Sequence, residues 1–397
     1  MRTMTTRMAG GIALATILVA ACSSTGATPS PSAAAPSTGV SAPASAPASA
    51  AGSPVAAKDA TSAAAMGGVD AVCAAGKAEG QVNIIATPPD WANYGQIITD
   101  FQTKYGIKVQ SDKPDGNSQD EINAATQLAG TGRQPDIFDL GSVVAAAHTD
   151  MYAPYQVATW ADIPDANKEP TGLWVNNYTG FETIGYDAKL GTIAKVADLA
   201  DPKYKGKVAL NGDPLKASAG FNGVVLAALA NGGSADNIAP GVDFFKKLAD
   251  SGNLIPVDPN PGTVAAGTTP IVIDWTYTNN AQTPVLAPKG IDWKVVVPSD
   301  SPPVAAFYND AINKDAAHPA AARCWMEYVF SDAGQNAWLK GYALPVRLAA
   351  MQAAGTVDKA AFDAINPPTT PPVQLTQAQT DVATKYLTDN WKFIAIK

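Results

Sequence analysis

The chain has 397 residues, 46% of them hydrophobic and 16% charged, with 35 acidic against 27 basic side chains and only two histidines. The first 67 residues carry Arg2, Arg7 and Lys58 against Asp59, which leaves 24 basic and 34 acidic residues, a net charge of −10, for the rest. That balance argues against nucleic acid, which needs a basic face, and is compatible with a cationic ligand or simply with solubility.

The N-terminus reads as a targeting segment. Arg2 and Arg7 precede an apolar run from Met8 to Ala21, followed by Cys22. A charged region, an apolar stretch too short to span a bilayer and small residues at a cleavage point form an export signal. Val19-Ala-Ala-Cys22 resembles the lipobox of bacterial lipoproteins. The resemblance implies cleavage before Cys22, a lipid on that cysteine, and a location on the outer face of the bacterial cytoplasmic membrane. Residues 22–67 are almost wholly Ala, Ser, Pro, Gly and Thr. With no apolar periodicity they read as a disordered tether, semi-extended where proline dominates.

From residue 68 onward strands and helices alternate. Gln81–Ala86 is a buried strand, and Trp91–Tyr105 a helix with Ile97, Ile98, Phe101 and Tyr105 at helical spacing. Gly106 caps it before a strand at Ile107–Val109. Ser118 and Glu121, at capping-box spacing, start a helix to about Ala129, and Pro135–Leu140 is a third strand. This βαβαβ order predicts a parallel sheet with ligand loops at the carboxyl ends of its strands. Leu173–Tyr186 reads as a connecting strand into a second lobe. Val208–Leu210, Thr269–Trp275 and Trp293–Val297 are further strands, with helices at Asn222–Ala230 and Val242–Ala249. Ala305–Ile312 returns the chain, and helices follow at Pro319–Ser331, Ala333–Trp338 and about Thr376–Thr388.

Cys73 and Cys324 remain after Cys22, and in an exported protein such a pair is expected to be bonded. With no CxxC motif and only His148 and His318 to assist, neither a metal site nor a cofactor is expected. His318, before Pro319, reads as a surface residue. Few histidines and no nucleophile-elbow pattern also speak against catalysis.

The segment Ala316–Gln335 and the following Tyr342-Ala-Leu-Pro-Val-Arg347 are similar to the closing helices of bacterial extracellular solute-binding proteins. Ala78–Ile85, Phe101–Val109, Tyr186-Asp-Ala-Lys-Leu190 and Leu199–Leu210 fit the same family. The resemblance is closest to the type 2 group that serves uptake of iron, polyamines, thiamine and phosphonates. It implies an α/β fold of two lobes, each a mixed, mostly parallel sheet flanked by helices. Lobe 1 would comprise 68–180 and 300–397, with the lobe of the C-terminal tail left open, and lobe 2 residues 181–299, joined by crossover strands near Tyr178–Ile184 and Ser299–Phe307. It further implies a monomeric receptor that closes on a small molecule and delivers it to an ABC permease.

The ligand has to be read from side chains. Iron-binding members use adjacent tyrosines, whereas Asp274-Trp-Thr-Tyr277 offers one. Trp91, Tyr94, Asp139, Asp274, Trp275 and Tyr277 could form a box of rings and carboxylates for a polyamine or thiamine-like cation. Ser118 and Ser218, at helix starts, would suit a phosphonate or sulfonate instead. An enzyme on the same fold is the rival class, and would need Cys73 or Cys324 as a free thiol.

Overall fold

The computed structural model describes residues 55–396, so the expected signal peptide, Cys22 and most of the expected tether lie outside the described residues. The folded part begins before residue 68. Short 3-10 turns at Ala57–Asp59 and Ala64–Met66 bury Ala60, Ala63 and Met66. The buried Arg323 holds them, its Nε donating to the Ala60 carbonyl (2.9 Å). The tether therefore stops short of residue 67. Small residues without periodicity carry no helix or strand signal, but their low bulk lets backbone lie flat on a core.

The first half contributes α1 (Val69–Glu79), β1 (Gln81–Ile85), α2 (Tyr94–Tyr105), β2 (Lys108–Asp112), α3 (Ser118–Gln127), β3 (Ile137–Gly141), α4 (Ser142–Ala147) and β4 (Tyr152–Ala153). The long β5 (Val175–Asp187) leads to β6 (Val208–Leu210), α5 (Ser218–Ala230), α6 (Ala239–Ser251), α7 (Pro261–Ala265), β7 (Ile271–Trp275), α8 (Thr276–Leu286) and β8 (Trp293–Val296). The return is β9 (Ala305–Asn313), α9 (Pro319–Val329), α10 (Asp332–Lys340), β10 (Leu344–Pro345), α11 (Leu348–Ala354), α12 (Lys359–Ile365) and α13 (Gln377–Asn390). Helix α8 was not legible beforehand. Thr276-Tyr-Thr-Asn-Asn280 lacks an apolar stripe, and Pro284 reads as a breaker, yet it sits within the last turn.

Strand order in the main sheet is β3-β9-β5-β7-β6, with β4 on β9 and β8 and β10 on β5. The sheet is mixed, but less parallel than expected. β1–β2 and β6–β7 pair parallel, whereas β5 and β9 pair antiparallel with their named partners. Antiparallel pairing follows from chain path, since a strand that crosses from one half and a strand that returns must run oppositely. The first half of β5 pairs with β9, and the second half with β7 and β8. The long β5 thus spans two apolar cores, with Val175 and Tyr178 in the first and Ile184 and Tyr186 in the second. One gathers α1, α2, β1 and α9, with Phe101, Trp325 and Trp338 fully buried. The other gathers β6, β7, α5 and α6 around Phe245. Burying each such side chain contributes on the order of 1.5–3 kcal/mol.

Cys73 on α1 and Cys324 on α9 are disulfide-bonded across a separation of 251 residues. Helix α13, whose lobe the sequence left open, packs with the second core through Ala383 and Leu387, with Trp391 just after it. The aromatic surface of α6 attracts it: Trp391 meets Phe245 edge-on at 5.6 Å. His318 is not a free surface residue either. Its Nδ1 lies 2.8 Å from Asp136 Oδ2, and that bond raises its pKa.

Candidate functional site

A cleft of about 490 Å³ opens between the carboxyl ends of β3 and β6 and the loops beside them. Its lining carries seven carboxylates (Asp90, Asp115, Glu121, Asp139, Asp213, Asp258 and Asp274) against one cation, Lys216. Lys216 is itself paired with Asp213 at 3.2 Å. A concave, half-enclosed surface of one sign focuses its field on an incoming counter-charge.

Asp139 is the floor of this cleft. It stands near the end of β3, 8% exposed, and directly faces Asp310 of β9 in the strand register. Two tyrosines fix it: Tyr94 Oη donates to Oδ2 at 2.6 Å and Tyr178 Oη donates to the same oxygen at 2.8 Å. Behind them Trp91 Nε1 donates to Tyr178 Oη at 2.7 Å. The Asp139 backbone N–H donates to Glu121 Oε2 at 2.9 Å, so a third carboxylate is bound to this spot. Burial raises the Asp139 pKa to about 6, working against the tyrosine hydrogen bonds that lower it. Burial first, and the charge of Asp139 second, push the Asp310 carboxyl well above its ordinary range. Two carboxyl groups this close and this dry cannot both hold a charge.

Asp274 closes the far wall at the end of β7. It is 2% exposed, accepts the Trp275 N–H at 2.7 Å, and is raised to about 7 by burial. Next to it the Thr278 hydroxyl faces Asp274 and acts against the rise in its pKa, while Gln282 Oε1, also on the cleft lining of α8, has no hydrogen-bond partner among the described residues. Buried acceptors left open cost free energy unless a ligand donor meets them.

Of the residues singled out from sequence, Trp91, Ser118, Asp139, Ser218 and Asp274 line the cleft. Tyr94, Trp275 and Tyr277 do not. Tyr94 acts from behind, through Asp139. Trp275 and Tyr277 are fully buried and packed on each other at 6.1 Å, with Tyr277 meeting Trp91 at 5.1 Å. A ring at a strand end gains more from burial against other rings than from facing water, which is why these two turned inward. The expected capping box is displaced by one residue: Asn117 caps α3, with Asp120 returning the bond. Ser118 Oγ is thereby free to accept the Gly141 N–H at 3.0 Å.

Sequence reasoning missed Tyr308, 7% exposed on β9, and the Asn211–Lys216 loop that follows β6. The rule that ligands sit beyond the carboxyl ends of strands, applied to β6 as it was to β3, would have found that loop. Tyr308 had no such signal, lying in mid-strand. Gly141 and Ser218 mark where the walls touch. A Cβ on Gly141 would lie 2.6 Å from Ser218 Cβ. Among the described residues no group of three or more His, Cys, Asp and Glu is placed to hold a metal ion.

The fold has many solved counterparts. Iron-bound HitA from Pseudomonas aeruginosa is 20% identical, with a TM-score of 0.57 over 79% of this chain and 99% of that one. AfuA from Actinobacillus pleuropneumoniae, with fructose-6-phosphate bound, is 16% identical over the same shares, with a TM-score of 0.56. The spermidine/putrescine substrate-binding protein PotD from Streptococcus pneumoniae is 16% identical, with a TM-score of 0.52 over 79% and 99%. At these identities the likeness shows the fold alone, that of the periplasmic binding proteins. No curated protein matches the chain. Residues 135–367, more than half the chain, match the sequence model of a bacterial extracellular solute-binding family. The chain therefore belongs to the bacterial extracellular solute-binding proteins.

Proposed function

We propose that this protein is the substrate-binding component of an ABC importer that captures a small organic cation, a polyamine or a thiamine-like amine. The observation that carries the reading is the acidity of the cleft: seven carboxyl groups, among them Asp139 and Asp274 that ionise only near pH 6 and 7, surround one lysine that is already paired. Trp91 and Tyr308 add ring faces, 5.6 Å apart and edge-to-face, that attract ammonium groups and shield methylenes. The open acceptor Gln282 Oε1 suits a ligand with N–H donors. Capture is a closure: the walls carried by β3 and β6 come together at Gly141 and Ser218, and the ligand's preference for that form shifts the population. The two thiols of the rival enzymatic reading, Cys73 and Cys324, are bonded to each other.

The structural neighbours bind iron, a sugar phosphate or polyamines, and the fold does not choose among them. Side chains do. Ferric iron favours tyrosinate, but burial and nearby carboxylates hold Tyr94, Tyr178, Tyr277 and Tyr308 well above their ordinary pKa. One feature supports an anion as a second reading. The N-terminus of α5 at Ser218 lines the cleft without a side-chain cap, next to Lys216.

We further propose that Cys22 carries a lipid that tethers the exported, monomeric protein outside the cytoplasmic membrane. Among the described residues no helix is long and apolar enough to cross a membrane. Replacing Cys22 by Ala should release the protein from the cell surface and abolish palmitate incorporation.

A thermal-shift panel of putrescine, spermidine, thiamine, ferric citrate, aminoethylphosphonate, taurine and glycerophosphate tests the ligand class. A ligand at 100 times its Kd adds about 2.7 kcal/mol, a shift of several degrees at most. A response to a polyamine or thiamine supports the cation. A response to an anion alone moves the site to Ser218 and Lys216.

A further inference from the structure

The segment matching the family ends at residue 367, yet the chain beyond it bridges the moving parts of the molecule. Val373 joins the crossover between the cores: its N–H donates to the Pro303 carbonyl (2.8 Å), and its carbonyl accepts from Ala305 N–H (3.0 Å). Helix α13 then lies on α6 of the second core and also on α4. Helix α4 starts directly after Gly141, the point where the cleft walls meet, and sends Val144 and Ala145 into the β3 side while Val143 packs with the second core. Past α13, Trp391 meets Phe393 in a tilted pair at 4.7 Å, and Ile396, 9% exposed, reaches the cleft wall.

We propose that residues 373–396 form a strap that holds the cleft closed and supplies part of its wall, so that ligand is admitted and released as the strap detaches. This rests on the reading that the protein captures its ligand by closure. The strap is anchored on the second core and grips α4, so it resists separation of the walls at Gly141 and Ser218. Ile396 joins Val264 and Val272 in the aliphatic part of the cleft lining.

The test uses full-length protein carrying Trp391→Ala or Ile396→Asp, and amide hydrogen exchange without ligand. In both variants exchange at 142–147 and 211–219 should rise about tenfold, while α9 stays as protected as in the unaltered chain. In stopped-flow with spermidine as probe, association and dissociation should both accelerate. Unchanged exchange at 142–147 and 211–219 in Ile396→Asp overturns the strap. If Trp391→Ala loses protection throughout, it is unfolded and Ile396→Asp decides. If spermidine fails to bind the unaltered chain, the ligand reading falls, while the exchange result still decides the strap.

Discussion

Asp139 and Asp274 are carboxylates placed where water has little access, and each is held in its ionised form by only a few hydrogen bonds. Their values of about 6 and about 7 lie above the ordinary 3.8. The folded state therefore binds these protons more tightly than the unfolded chain. Their contribution to stability is complete below about pH 4 and is lost as pH rises through 6 and 7, which denaturant titrations of ligand-free protein should show. A bound cation takes the opposite side, because it needs both groups ionised. Its affinity should rise between pH 5 and 8, by up to about tenfold per pH unit for each group below its pKa, with proton release visible in buffers of different ionisation enthalpy. An anionic ligand would show the reverse slope. Asp139→Asn keeps the shape and removes the charge, and should cost about 1.5–3 kcal/mol, roughly 10- to 150-fold in Kd for a cation. Tyr94→Phe should weaken binding less than Asp139→Asn, since it removes one of two hydroxyls that fix the carboxylate rather than the carboxylate itself.

Among elements, the tight approach of β3 to α5 is the most sensitive join. Gly141 ends the strand against Ser218, and Gly141→Ala would place a methyl 2.6 Å from Ser218 Cβ. The walls would be held apart, so scattering should show no compaction on ligand addition, with overpacking costing about 1–3 kcal/mol of the closed form. The disulfide acts at the other side of the first core. It joins α1 to α9 across 251 residues, and replacing both cysteines by serine should cost about 2–5 kcal/mol of stability in denaturant melts. Ligand affinity should be unaffected at temperatures where that variant is folded, because Cys73 and Cys324 do not line the cleft.

At the scale of the molecule, β5 is shared by both cores, and the segment that enters β9 is joined by Val373. The proposed closure would rotate the two walls about these few strands without disturbing either core. Much of this was legible. Apolar runs placed β1, β3, β6, β7 and β9 within a residue or two, and Gly106 ended α2 where its cap required. What failed did so for tertiary reasons. Ala60, Ala63 and Met66 gain their order from Arg323, more than 250 residues away, and α8 forms despite Pro284 because Tyr277 and Leu286 are buried on it.

The sequence by itself determined the export signal pattern, the alternation of strands and helices, the acidic balance and the choice of Asp139 and Asp274 as cleft carboxylates. Those are local or compositional properties, carried by periodicity, caps and charge counts. Only the tertiary structure decided which rings line the cleft, that Tyr308 and the Asn211–Lys216 loop line it too, that strand pairing is largely antiparallel, and that the C-terminal segment reaches the cleft. Each of these depends on which distant surfaces meet, and the side chain that gains most from burial at such a meeting is not marked in its own neighbourhood of the chain.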